Sequence, residues 1–194
     1  MAKAQAISAV GQTILGLLAD NIPKSEFSNA RFELYQTANF SSSPMKEGVS
    51  LFLYRVEINA ALRNLPNKTG VDGISRRAPL PLDLYYLLTV WAEDVIKQQR
   101  ILGWAMRILE DAPVLSAARL NNFGPETDVF RPNETVEILF NSLSLQDLSN
   151  IWSAFKVSLP MSVAYIARVV GVDSTISAEE SAPVQTRQID FANI

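Results

Sequence analysis

The residues that could do chemistry in this 194-residue chain are few, because it has neither cysteine nor histidine. Without them there is no thiolate nucleophile, no zinc knuckle and no imidazole base, which excludes most protease, oxidoreductase and deaminase mechanisms. Ser162 and the other serines therefore lack a histidine partner, and no lysine is spaced to replace it. Asp83, Glu93 and Asp94 are the nearest approach to an acid pair or a hard-cation site. Their spacing puts Asp83 on a strand and the other two at a helix start, where negative charge is favoured. The run Asn67, Lys68, Thr69, Gly70 carries its glycine after Lys-Thr, whereas a phosphate loop needs glycines before it. Tyr85, Tyr86, Trp91 and Trp104 read as core aromatics rather than a ligand box. The expectation is no catalytic residue, no cofactor and no metal.

One charged cluster stands out. Between Ala61 and Pro81 the chain carries Arg63, Lys68, Arg76 and Arg77 against Asp72 alone, in a protein whose formal charge is −3. A basic loop on an acidic protein reads as a docking element for an acidic partner. The overall charge is too small and of the wrong sign for a surface devoted to nucleic acid, so no nucleic-acid partner is expected. Charged residues make up 19% of the chain, below the roughly 25% of an ordinary soluble domain, which points to surface used in subunit contacts.

The elements that must position these residues follow from periodicity. Ile7, Val10, Ile14, Leu17 and Leu18 form one stripe of a helix over residues 4–19. Residues 31–36 alternate as a strand with Phe32 and Leu34 on one face. Residues 49–60 alternate with Phe52, Tyr54, Val56 and Ile58 on one face. Their opposite face runs Val49, Leu51, Leu53 and then Arg55, Glu57, Asn59, covered at one end and wet at the other. Residues 82–91 are apolar on both faces, as a central strand must be. A helix follows to about Glu110 with a narrow polar stripe, and Gly103 in it predicts either a marginal helix or close packing. Residues 135–141 form a strand, Ser144 and Asp147 open a helix with Leu145, Leu148, Ile151, Trp152 and Phe155 on its apolar face, and residues 162–172 form the last strand. The prediction is a single α/β (α+β) domain over residues 1–173, a mixed β-sheet with flanking helices. Residues 174–194 form an extended or disordered arm, whose end alternates through Ile189 and Phe191 and suits addition to a neighbour's sheet edge. The apolar run at residues 14–19 is too short for an export signal and no window would span a membrane, so assembly in the cytoplasm is expected.

Three segments, PLPLDLYYLLTVWA from Pro79, ILGWAMRILEDAPVL from Ile101 and LSLQDLSNIWSAFKVSLPMSVAYIARVVGV from Leu143, occur in the order and spacing of a known family. Over roughly residues 5–173 the chain resembles the cap, or tail-terminator, proteins of extracellular contractile injection systems of the virulence-cassette and antifeeding-prophage type. The resemblance implies a small domain similar to phage tail terminators that assembles as a six-membered ring on the end of the inner tube and sheath. It implies no enzymatic activity. Other readings of the same composition are a different contractile-tail connector, a baseplate adaptor, or a small carboxylate- and metal-dependent enzyme.

Overall fold

The computed structural model describes residues 4–42, 44–69, 73–156 and 160–178. Six strands form one sheet in the order β1 (Arg31–Leu34), β2 (Gly48–Ile58), β5 (Leu80–Trp91), β8 (Ser162–Val172), β7 (Thr135–Asn141) and β6 (Val114–Ser116). Only β1 and β2 run parallel; the remaining pairs are antiparallel. The predicted mixed sheet with flanking helices is thus the fold, with β5 at its centre.

The alternation of β5 explains why the sheet is covered on both sides. Leu82, Leu84, Tyr86, Leu88 and Val90 enter the larger core with α1 (Ala6–Asn21), α3 (Val95–Asp111) and α4 (Ala117–Leu120). Leu87 and Trp91 face the smaller core, closed by α2 (Thr37–Ser42) and α5 (Leu145–Ala154). Asp94 caps α3 by accepting from the Ile96 and Lys97 amides, at 3.2 and 3.1 Å. Ser144 caps α5 by accepting from the Asp147 amide, at 3.1 Å. Both caps satisfy orphan helix donors at the predicted positions.

Three sequence expectations are corrected by the packing. A bulge between Leu53 and Arg55 shifts the β2–β5 register, and one extra residue flips every side chain beyond it. Arg55 and Glu57 therefore lie on the smaller-core side, where Arg55 covers the Tyr85 ring and Glu57 accepts the Tyr85 hydroxyl. Val56 and Ile58 move opposite Leu84 and Leu82, to the side of Val49 and Leu51, and are exposed there. Leu145, predicted on the apolar face of α5, is also exposed, because it lies in the first turn, ahead of the buried part of the helix.

Gly103 is the third correction, since a Cβ built on it meets nothing within 4 Å and close packing does not account for it. Gly103→Ala should therefore raise stability by about 0.5–1 kcal/mol through lower backbone entropy in the unfolded chain. Thermal melting of the variant checks this.

Burial also sets the alkaline limit of the fold. Burial raises the pKa of all five tyrosines, Tyr86 most and Tyr165 to about 12, the latter helped by the Glu110 charge. The folded state holds these protons more tightly than the unfolded chain, so the stability is whole below the unfolded value near pH 10 and is lost as pH rises through the folded values. No histidine titrates at neutral pH. A melting-temperature profile should be flat between about pH 6 and 9 and fall above about pH 10.

Candidate partner-binding surfaces

The stretch predicted as a basic loop is partly ordered. A 3-10 turn at Ala60–Leu62 leads to a two-stranded hairpin of β3 (Lys68–Thr69) and β4 (Ser75–Arg76), with Lys68 opposite Arg76. The start of the predicted arm adds a third chain to it. Ser177 bridges Arg76, the Arg77 amide donates to the Ile176 carbonyl, and the Ala178 amide donates to the Ser75 carbonyl. The basic hairpin is therefore bonded through its backbone to residues 176–178. Ile189 and Phe191 lie outside the described residues.

The four cations of the loop separate. Lys68 Nζ is 3.7 Å from Glu134 and 4.0 Å from Asp173, and Arg131 bonds the same Asp173 at 2.8 Å. This network ties the hairpin to the end of β8. Arg76 is half-buried and donates to the Ile74 carbonyl. Arg63 and Arg77 are exposed, flanked by exposed Leu65, Ile74 and Ile176.

The carboxylates do not converge. Asp83 sits near the start of β5, Glu93 and Asp94 beyond its end. Asp83 accepts from Asn59 Nδ2 at 3.0 Å and from the Val169 amide at 3.0 Å. That second bond fixes a bulge in the β5–β8 pairing, where Val169 has φ of 60°. A β-branched residue is strained in that region and needs such a clamp. Asp83→Ala should cost about 1–3 kcal/mol by orphaning the amide and the Asn59 side chain, with Asp83→Asn retaining part of it. Denaturant titration of both variants is the check. Ser162 is likewise structural, donating to the Pro160 carbonyl and meeting the Thr89 hydroxyl at 3.1 Å. Among the described residues no group of acidic side chains is placed to hold a metal ion, and no helix is long and apolar enough to cross a membrane.

A second surface escaped the sequence reading. At the far end of the strands a cleft of about 1100 Å³ is lined by residues 28–31 and 44–47 with Glu33, Glu93, Asp94 and Lys97. Parallel pairing of Arg31 with Gly48 brings its two walls together. Lys97 Nζ bonds Glu47 Oε2 at 2.6 Å, while Glu47 Oε1 is buried without a partner among the described residues. Glu93 and Asp94 carried the only signal in the sequence, as helix-start charges.

Comparison with solved structures places this arrangement. The fold is similar to the sheath/tube terminator, in the extended state, of an extracellular contractile injection system termed PVC, with TM-score 0.63 and 15% identity over 96% of this chain and 63% of that one. It is also similar to the tube-terminating cap of the anti-feeding prophage, with TM-score 0.58 and 18% identity over 94% of this chain and 60% of that one. This chain thus spans about three fifths of the length of those two. No curated protein matches the sequence significantly. The whole sheet and its covering helices, apart from the first three residues of α1, fall within residues 9–186, the span that matches the Pvc16 N-terminal domain, and the chain belongs to that family.

Proposed function

We propose that this chain is a non-enzymatic cap, which terminates the tube and sheath of a contractile injection particle as a ring of copies, most simply six. The observation that carries the reading is membership of the Pvc16 N-terminal domain family over residues 9–186, joined to the fold shared with two terminator proteins. The particle assembles in the cytoplasm. Residues 1–173 are the ring-forming body and residues 174–194 an arm. Arg63, Lys68, Arg76 and Arg77 of the hairpin, with Ile189 and Phe191 of the arm, are the partner-binding residues, and the backbone bonds between the hairpin and residues 176–178 support treating them together.

The test is addition of purified chain to sheathed tubes lacking their own cap. Wild type should bind one end of each tube as a ring. Reversing Arg76 and Arg77 to Glu, or deleting residues 174–194, should reduce end occupancy at least severalfold, more at low than at high salt for the charge reversal. Unchanged occupancy and salt dependence would remove these residues from the binding surface.

A further inference from the structure

We propose that residues 187–194 of one copy add as a strand to the free outer edge of β2 on the next copy, and that this donation, repeated round the ring, joins its subunits. The inference rests on the cap reading above and names a second copy of this chain as the partner of the arm.

The acceptor is a stretch of open sheet edge. β2 has 11 residues and β1 only four, and their pairing ends at Leu34 and Leu51. From Phe52 to Ile58 the outer side of β2 has no strand beside it among the described residues. The Asn59 amide donates to the Pro81 carbonyl at 2.9 Å. In the antiparallel ladder beyond the bulge, Arg55 and Glu57 therefore bond towards β5, while the N–H and C=O groups of Val56 and Ile58 point outward. An exposed row of such groups is a template for another chain. The side chains of Val56 and Ile58, 44% and 48% exposed, lie on one face of this edge, and Arg55 and Glu57 lie on the other.

The donor has the matching pattern. In residues 187–194 Ile189 and Phe191 fall on one face of a strand, and Gln188 and Asp190 on the other. Added to β2, the first pair lies on the side of Val56 and Ile58 and the second on the side of Arg55 and Glu57, so apolar meets apolar and polar meets polar. Setting Asp190 beside Arg55 keeps it off Glu57 and brings Ile189 or Phe191 beside Val56, according to strand direction.

Length and route select the next copy. Leu80 pairs with Val172 and Leu82 with Ile58, so the arm leaves at the end of the sheet where the acceptor edge lies. Residues 179–186 between the described chain and the donor strand reach at most ~28 Å when extended. The arm follows β8, and β5 and β2 stand between β8 and the free edge. A donor on one side of the sheet and an acceptor on the other can pass from copy to copy until the ring closes.

The absence of native cysteine allows a direct test with the full-length chain. Val56→Cys is combined with Ile189→Cys and, separately, with Phe191→Cys, and each double variant is oxidised beside its single variants. A third pair, Leu145→Cys with Phe191→Cys, is the control, since Leu145 is 73% exposed on another element. One of the two Val56 pairs should give a disulfide-linked ladder that ends at the closed ring, while single variants stop at dimer and the control gives no ladder. In parallel, deleting residues 187–194 should weaken self-association about tenfold or more, as should Val56→Pro, which removes an outward N–H and keeps the β2–β5 ladder. Wild-type melting separates this from misfolding, and the deletion decides alone if Val56→Pro melts early. Normal rings from the deletion, with no ladder from either Val56 pair, overturn the contact and leave the cap reading standing. A disulfide formed within one chain overturns it by returning the arm to its own edge, and a ladder that stops at dimer overturns it by reducing it to exchange within a pair. Loss of tube binding with intact rings on deletion also overturns it, by assigning the arm to tube or sheath. A wild-type chain that stays monomeric in solution and on tube ends removes the ring itself and this contact with it.

Discussion

Trp152→Ala lowers the stability of the fold by about 3–5 kcal/mol and sharply reduces soluble yield. Trp152 is 1% exposed and joins Tyr35, Phe40, Met45, Leu87 and Ala164 in the smaller core. It meets Phe40 edge-on at 4.9 Å and Phe155 at 5.8 Å, while Phe40 and Phe155 stack at 5.5 Å. These rings are what α5 and the short α2 present to the sheet, so truncation removes a large apolar area and the contacts that dock both helices. The indole Nε1 has no partner among the described residues. Trp152→Phe therefore loses volume without losing a hydrogen bond, and should cost distinctly less than alanine. Leu145→Ala, on the same helix but 73% exposed, should stay within about 0.5 kcal/mol of wild type. Denaturant unfolding of the three variants measures the series. A Trp152→Ala protein with wild-type unfolding would place this helix face on the outside.

Gly48→Ala is the second large effect, with an expected cost of about 3 kcal/mol. Gly48 has φ of 136°, which L side chains rarely adopt. A Cβ there would lie 2.0 Å from the Arg31 carbonyl oxygen and 2.5 Å from its nitrogen. These are backbone atoms of the paired strand, so no rotamer change relieves the clash, and β1 must move away from β2. The bonds from the Arg31 amide to Glu47 and from the Tyr35 amide to Leu51 would be lost with it. Hydrogen exchange should show both amides losing protection while those of the β5–β8 ladder keep theirs.

Long elements were legible in the sequence because periodicity needs length to register. The doubly apolar run at Leu82–Trp91, the capped helix after Ser144 and the stripe from Ile7 to Leu18 each repeat several times. The hairpin of β3 and β4, the three-residue β6 and the four-residue α4 hold too few residues to show a period. They are fixed by tertiary pairing and by side chains such as Asn121, which accepts from the Val129 and Phe130 amides and donates to the Phe130 carbonyl. The bulge after Leu53 left no trace either. Alternation continues unbroken through Arg55 and Val56, and only the partner strand reveals the slipped register. Half of the candidate surface was legible for the same reason. Arg63, Lys68, Arg76 and Arg77 are near neighbours in sequence, so their charge shows as a cluster. Glu33, Glu47 and Glu93 come from separate elements and meet only through the pairing of β1, β2 and β5.

The central claim is that this chain ends the tube and sheath. Particles assembled with and without it, imaged for length and for density at their ends, test that most directly. The account predicts uniform particles with a ring of this chain at one end when it is present, and tubes and sheaths of uncontrolled length with bare ends when it is absent. Particles of normal length and normal ends without it, or its location anywhere other than a terminus, would contradict the account.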